Sequence, residues 1–203
     1  MITNLLFALF VYNVVPNVDF DRYAGTWHEV ARFPNRFQKR CVGDVTANYT
    51  LRTDGKIDVL NRCRVQDGTY ISVRGIAKTA GKGLPNSMLR VRFAPKFLSF
   101  LPQVWGRYHV IVLAEDYSYA AVGSPDLRYL WVLSRTPELT KAKYAQILDQ
   151  VSSLGFDIRK LELSGRPTTV GRVMEPPRGS DLLMKPSRHS AGSAQKPTQK
   201  SRS

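Results

Sequence analysis

A chain of 203 residues is long enough for one domain with a sizeable core and gives no sign of a second. Its formal net charge is +14, a balance that draws it toward anionic surfaces and away from basic ones. No run of about eighteen apolar residues occurs, which excludes a conventional membrane-spanning helix. The two cysteines are too few for a zinc cluster, and the three histidines are scattered.

Residues 1–17 open the chain with Leu5, Leu6, Phe7, Ala8, Leu9, Phe10 and Val11. They read as a signal-like apolar segment without the usual leading cation. No cysteine follows that could carry a lipid, so a lipid anchor is not expected. A segment packing on the domain is the alternative.

Strand patterning dominates residues 18–164. Tyr23 to Phe33 carries Gly25-Thr26-Trp27, in which the glycine lets the backbone turn and the indole closes off the end of a sheet. A lone Gly-x-Trp more often marks nothing more than a strand start beside a core tryptophan. Val45, Ala47, Tyr49 and Leu51 alternate with polar residues, and after the Asp54-Gly55 turn Ile57, Val59 and Asn61 continue in one phase. Ile71 and Val73, then Leu89, Val91 and Phe93, repeat the pattern. Tyr108 to Leu113 and Ala120 to Gly123 are more continuously apolar, as strands covered on both faces would be. Eight such antiparallel strands can close into an up-and-down barrel with room for one small ligand.

Between the strands, Phe93 to Trp105 is an unusually apolar loop. It either packs on the core or presents a membrane-touching or ligand-gating surface. Thr136, Pro137 and Glu138 carry helix-start chemistry, Tyr144, Ile147, Leu148 and Val151 fall at helical spacing, and Gly155 marks the stop. This helix should pack on the outside of the barrel. Phe156 to Leu163 reads as a short final strand. Residues 165–203 hold eight Lys/Arg against Glu175 and Asp181, with few large apolar groups, and read as a basic disordered tail. No aromatic residue interleaves with those charges, so nucleic acid is not expected as a partner.

Cys41 and Cys63 would form one disulfide in an exported protein and stay as thiols in a reducing compartment. With the turn at Thr53 to Lys56, Cys63 lies opposite about Thr46. The chain before Val45 must therefore bend, by a bulge or an irregular loop, for the sulfurs to meet. We expect the bridge. Catalytic constellations are thin: no nucleophile elbow and no glycine-rich phosphate loop are present, and Glu29 is a single acid beside the first strand. No cofactor, no metal and no catalytic residue are assigned.

The block from Tyr23 to Phe33 with Phe33-Pro34-Asn35-Arg36-Phe37, then Ala47 to Leu51, Tyr117 to Gly123, and Leu133-Ser134-Arg135-Thr136-Pro137 resembles the three signature regions of the lipocalins. It is most similar there to the bacterial lipocalins and apolipoprotein D. The resemblance runs from about Phe20 to Leu163. It implies a barrel with an outer C-terminal helix and a ninth strand. It also implies that Arg135 lies over Trp27 at the closed end, and gives Gly25, Trp27 and Arg135 structural roles.

By strand phase the inward set is Ala47, Tyr49, Ile57, Val59, Asn61, Val73, Leu89, Val91, Tyr108, Val110 and Trp131. Mostly apolar walls with a few polar tips suit an aliphatic chain with one polar end. Some of these side chains could equally fill a ligand-free barrel. The expected function is binding and carrying fatty acids, lysophospholipids or similar molecules for cell-envelope lipid maintenance, in the periplasm or outside the cell and in association with the outer membrane. A lipid-modifying enzyme and an interaction protein docking by its basic tail are the alternatives. Peripheral membrane contact and a homodimer are both left open.

Overall fold

The computed structural model describes residues 13–165. The readings made on residues 1–12 and 166–203 lie outside them. After a one-turn helix α1 (Phe20–Tyr23) come strands β1 (Gly25–Arg32), β2 (Gly43–Leu51), β3 (Ile57–Arg64) and β4 (Tyr70–Thr79). Next are β5 (Met88–Arg92), β6 (Gly106–Leu113), β7 (Tyr119–Gly123) and β8 (Leu130–Ser134). Helix α2 (Lys141–Ser153) and a two-residue strand β9 (Glu162–Leu163) complete the fold.

Every consecutive pair from β2 to β8 is antiparallel, β8 pairs with β1, and β1 pairs back to β2. That last pairing, from Gly25↔Tyr49 to His28↔Thr46, closes eight strands into a barrel and leaves no free edge there. Farther along, β1 parts from β2 and takes β9 instead, through Ala31↔Leu163 and Arg32↔Glu162. The hairpins around residues 52–56, 80–87 and 114–118 form one end of the barrel, together with α1. The loops 33–42, 65–69, 93–105 and 124–129 form the other, the mouth.

Two apolar clusters lie on the two faces of this sheet. The inner one gathers Trp27, Tyr49, Ile57, Val59, Leu89, Val91, Val110, Val122 and Leu133. In the outer one Ile147 and Val151 of α2 pack over Ala31, Ile111, Val112, Tyr119, Ala121, Leu130 and Val132. Each fully buried aliphatic side chain on that helix contributes about 1.5–3 kcal/mol. All five residues of β7 are buried, as a strand covered on both sides requires.

Three local expectations are corrected or refined. The helix starts at Lys141 and not after Thr136: Thr140 is the cap, its hydroxyl accepting from Lys143 N (3.3 Å). The Thr136 hydroxyl instead donates to Glu138 O (2.7 Å), and the chain stays irregular until it has left the barrel end. The expected strand from Phe156 to Leu163 shrinks to Glu162–Leu163. Ile158–Lys160 winds into a 3-10 turn capped by Asp157, while Phe156, Ile158 and Leu161 dip into the outer cluster. Cys41 and Cys63 are joined, with Cα atoms 5.5 Å apart. The required bend is present as a register shift between Gly43 and Thr46, with Asp44 at φ 50°. The Asp44 carboxylate secures the bend by accepting from Arg64 Nε (2.9 Å) and the Tyr70 hydroxyl (2.8 Å).

Candidate ligand-binding calyx

The closed end is built around Trp27. Its Nε1 donates to Tyr23 O (2.8 Å), and the Arg135 guanidinium carbon lies 3.9 Å from the ring centroid. Arg135 also donates to Thr26 O (3.0 Å) and Arg22 O (2.6 Å), so one cation ties α1, β1 and the end of β8 together. Gly25 sits at φ +92°, where a side chain would be strained, and a Cβ there would lie 3.5 Å from Arg135 Nη1.

Above this floor three phenols meet. The Tyr108 hydroxyl is 3.0 Å from that of Tyr23 and 2.8 Å from that of Tyr49. Burial pushes all three pKa values up, Tyr49 to about 12, and the hydroxyls remain protonated donors at neutral pH. Three phenols carry three protons and the two contacts use two. The third has no acceptor among the described residues. Tyr108 is only partly buried although it packs on the inner cluster.

The upper wall is more open. Ala47 and Trp131 are half-buried against the inner cluster. Asn61 lies between Ala47 and Val73 in register, sharing their face, and its Oδ1 is buried with no hydrogen-bond partner among the described residues. Val73 is 46% exposed and stands at the mouth, outside the packed cluster. Phe93 leans over β4 so closely that a Cβ on Gly75 would meet its ring at 2.6 Å. Of the eleven residues expected to face inward, nine belong to or pack on one cluster: Ala47, Tyr49, Ile57, Val59, Leu89, Val91, Tyr108, Val110 and Trp131.

A polar chain spans the mouth side. Trp131 Nε1 donates to Gln38 Oε1 (2.9 Å), and Gln38 Nε2 donates to Glu29 Oε2 (2.5 Å). Glu29 Oε1 accepts from Arg32 Nη1 (2.8 Å) and from the Ser164 hydroxyl. The isolated acid of the sequence is thus a buried, fully engaged carboxylate. Residues three apart on a strand point to opposite faces, but the bulge between Glu29 and Ala31 brings Arg32 opposite Trp131 and onto the face of Glu29. Beside this chain a cleft of about 380 Å³ is lined by Arg32, Arg36, Gln38, Lys39 and Glu162, among others.

Sequence reasoning missed Tyr23, Arg32, Gln38 and Phe93 as lining groups. Tyr23 lies on α1 and Gln38 in a 3-10 turn, where strand phase has no meaning. Among the described residues, no group of three or more His, Cys, Asp or Glu is placed to hold a metal ion.

An eight-stranded antiparallel barrel closed on itself, with an arginine-capped tryptophan at one end, is the architecture of a ligand-binding calyx. The chain belongs to the lipocalin family: the Lipocalin-like domain matches residues 18–165. Temperature-induced lipocalin-1 of Arabidopsis thaliana is 38% identical over 157 residues, which cover 77% of this chain and 83% of that protein. Outer membrane lipoprotein Blc of Escherichia coli (strain K12) is 40% identical over 148 residues, covering 72% of this chain and 78% of that protein. Insecticyanin from the tobacco hornworm Manduca sexta superposes with a TM-score of 0.61 at 19% identity, covering 77% of this chain and 85% of that one, and so shares the fold. The general function follows from the family: binding and transport of small hydrophobic ligands.

Proposed function

We propose that this protein carries long-chain lipids, fatty acids or lysophospholipids, and does so without chemical turnover. The observation that supports this most is the single inner cluster that runs from the sealed floor at Trp27 to the half-buried Trp131 near the mouth. An acyl chain buried along such a wall gains about 0.8 kcal/mol per methylene, which reaches micromolar affinity without any specific polar contact. The unpartnered phenolic proton and the Asn61 amide oxygen offer a donor and an acceptor to a neutral oxygen on the chain. The Arg32 and Lys39 side of the mouth suits a charged head.

The compartment we assign is the cell envelope or the exterior. The disulfide supports an oxidising location, and the similar Escherichia coli protein is described as an outer membrane lipoprotein. Peripheral contact with that membrane, in the service of its lipid upkeep, completes the reading. Mass spectrometry of lipids extracted from the purified protein tests it. Stoichiometric acyl lipids are expected, and their absence, together with failure to bind added fatty acid, overturns it.

A further inference from the structure

The geometry points to the barrel mouth as a docking surface for an anionic lipid bilayer, with Phe97 and Phe100 as its inserting side chains. This rests on the lipid-carrier reading and names the surface that would exchange the cargo. Among the described residues every exposed aromatic ring is at the mouth: Phe37, Tyr70, Phe93, Phe97 and Phe100. Phe97 is 73% and Phe100 76% exposed, values that no core or loop packing accounts for. The opposite end exposes Leu51 and Leu84 but no ring.

The rings are held out by a braced loop. Residues 93–105 form two 3-10 turns, Lys96–Leu98 and Pro102–Val104, which tuck Leu98 and Leu101 partly inward while Phe97 and Phe100 face solvent. Trp105 anchors the far end. Its Nε1 donates to Ser99 O (2.8 Å), and its ring lies 4.4 Å from Lys78 Nζ and 5.3 Å from the Arg92 guanidinium carbon.

Charge selects the partner. The two loops that carry Phe37, Phe93, Phe97 and Phe100 hold Arg36, Lys39, Arg40 and Lys96 and not one acid. At the other end Arg52 and Lys56 are paired with Asp54 and Asp58, and the 114–118 hairpin carries Glu115 and Asp116. Asp67 of the neighbouring 65–69 loop offsets Arg40 alone, and the cations left in excess around these apolar rings match an interface of acyl chains beneath anionic headgroups. Phe93, Phe97 and Phe100 stand on one loop, Phe37 on a second and Tyr70 at the start of β4. A fluid bilayer accommodates that arrangement, whereas a protein partner would need a complementary relief.

Flotation of the full chain with vesicles tests the proposal, using phosphatidylcholine alone and phosphatidylcholine with about one third phosphatidylglycerol. The parent should bind the anionic vesicles, more weakly as salt rises. The Phe97→Ser/Phe100→Ser double variant should bind about tenfold or more weakly, with unchanged melting and unchanged binding of a fatty acid in solution. Equal binding by parent and double variant overturns the proposal, because charge elsewhere in the chain would then suffice. So does a parent that binds no vesicle. If the double variant misfolds, a Phe97→Trp variant decides: its added fluorescence should shift blue and be quenched by brominated lipid, and no shift overturns the proposal. Fatty-acid binding in solution is read separately, so loss of cargo binding alone counts against the carrier reading and not against docking.

Discussion

Arg135 and Trp27, separated by more than a hundred residues, meet face to face at 3.9 Å and join the first and last strands of the closed barrel. Thr26 O and Arg22 O accept from the same guanidinium, so the cation is oriented as well as stacked. Removing it exposes the indole and leaves two carbonyls short of a donor.

Arg135→Ala should therefore cost about 1–3 kcal/mol of stability. Urea or thermal unfolding measures it. A melting temperature equal to the parent's would show that the stack does not lock the barrel.

The three phenols make the fold sensitive to alkali. Burial, the largest cause, raises Tyr49 from 10.0 to about 12 and raises Tyr23 and Tyr108 as well. The folded state thus disfavours phenolate. The stability it contributes is fully present below about pH 10 and is lost as pH rises toward and through each raised value. Stability should fall steadily above pH 10. Phenolate absorbance should show buried tyrosines that ionise only near or after unfolding. Full ionisation of every tyrosine near pH 10 in folded protein would contradict this.

Reduction should loosen the mouth. The Cys41–Cys63 bridge closes a separation of 22 residues and ties loop 33–42, which holds Gln38, to the end of β3. The Cys41→Ser/Cys63→Ser variant is expected to lose about 2–4 kcal/mol. Thiol labelling of unreduced exported protein should modify neither residue, and labelling of both would refute the bridge.

Trp131 reports on the cargo. It packs on the inner cluster, stacks on Tyr129 with centroids 5.8 Å apart, and donates to Gln38. A fatty acid in the calyx should change its fluorescence more than that of Trp27 or Trp105. Trp131→Ala should weaken acyl-chain binding by about 1–3 kcal/mol while circular dichroism stays barrel-like. Unaltered affinity in the folded variant would remove Trp131 from the site.

Alternation in Val45 to Leu51 and Ile57 to Asn61 was legible because one face of β2 and β3 meets water, so polarity marks the inside. In β7 both faces are covered, and no pattern separates lumen-side Ala120 and Val122 from helix-side Tyr119 and Ala121. The bulge needed for the disulfide was readable, since the Asp54-Gly55 turn fixed the register. The bulge that pairs Glu29 with Arg32 had no comparable marker. Thr136 and Thr140 offer the same capping chemistry. The choice between them rests on how far the chain travels before α2 can reach the barrel wall, which no local signal encodes. Tyr23 was missed because a helix supplies it to a sheet-lined lumen.

The outer helix also makes the wall unequal in thickness. From β6 through β8 to β1 the sheet is backed by α2, while the outward sides of β3 and β4 present Arg62, Ser72, Arg74 and Lys78 to water. A single-ply wall opens locally at lower free energy than a double one. Amide protons should therefore exchange slowest in β7 and β8 and sooner in β3 and β4. A cargo too wide for the resting lumen would be admitted by the yielding of one side, with the helix-backed half acting as a fixed jaw.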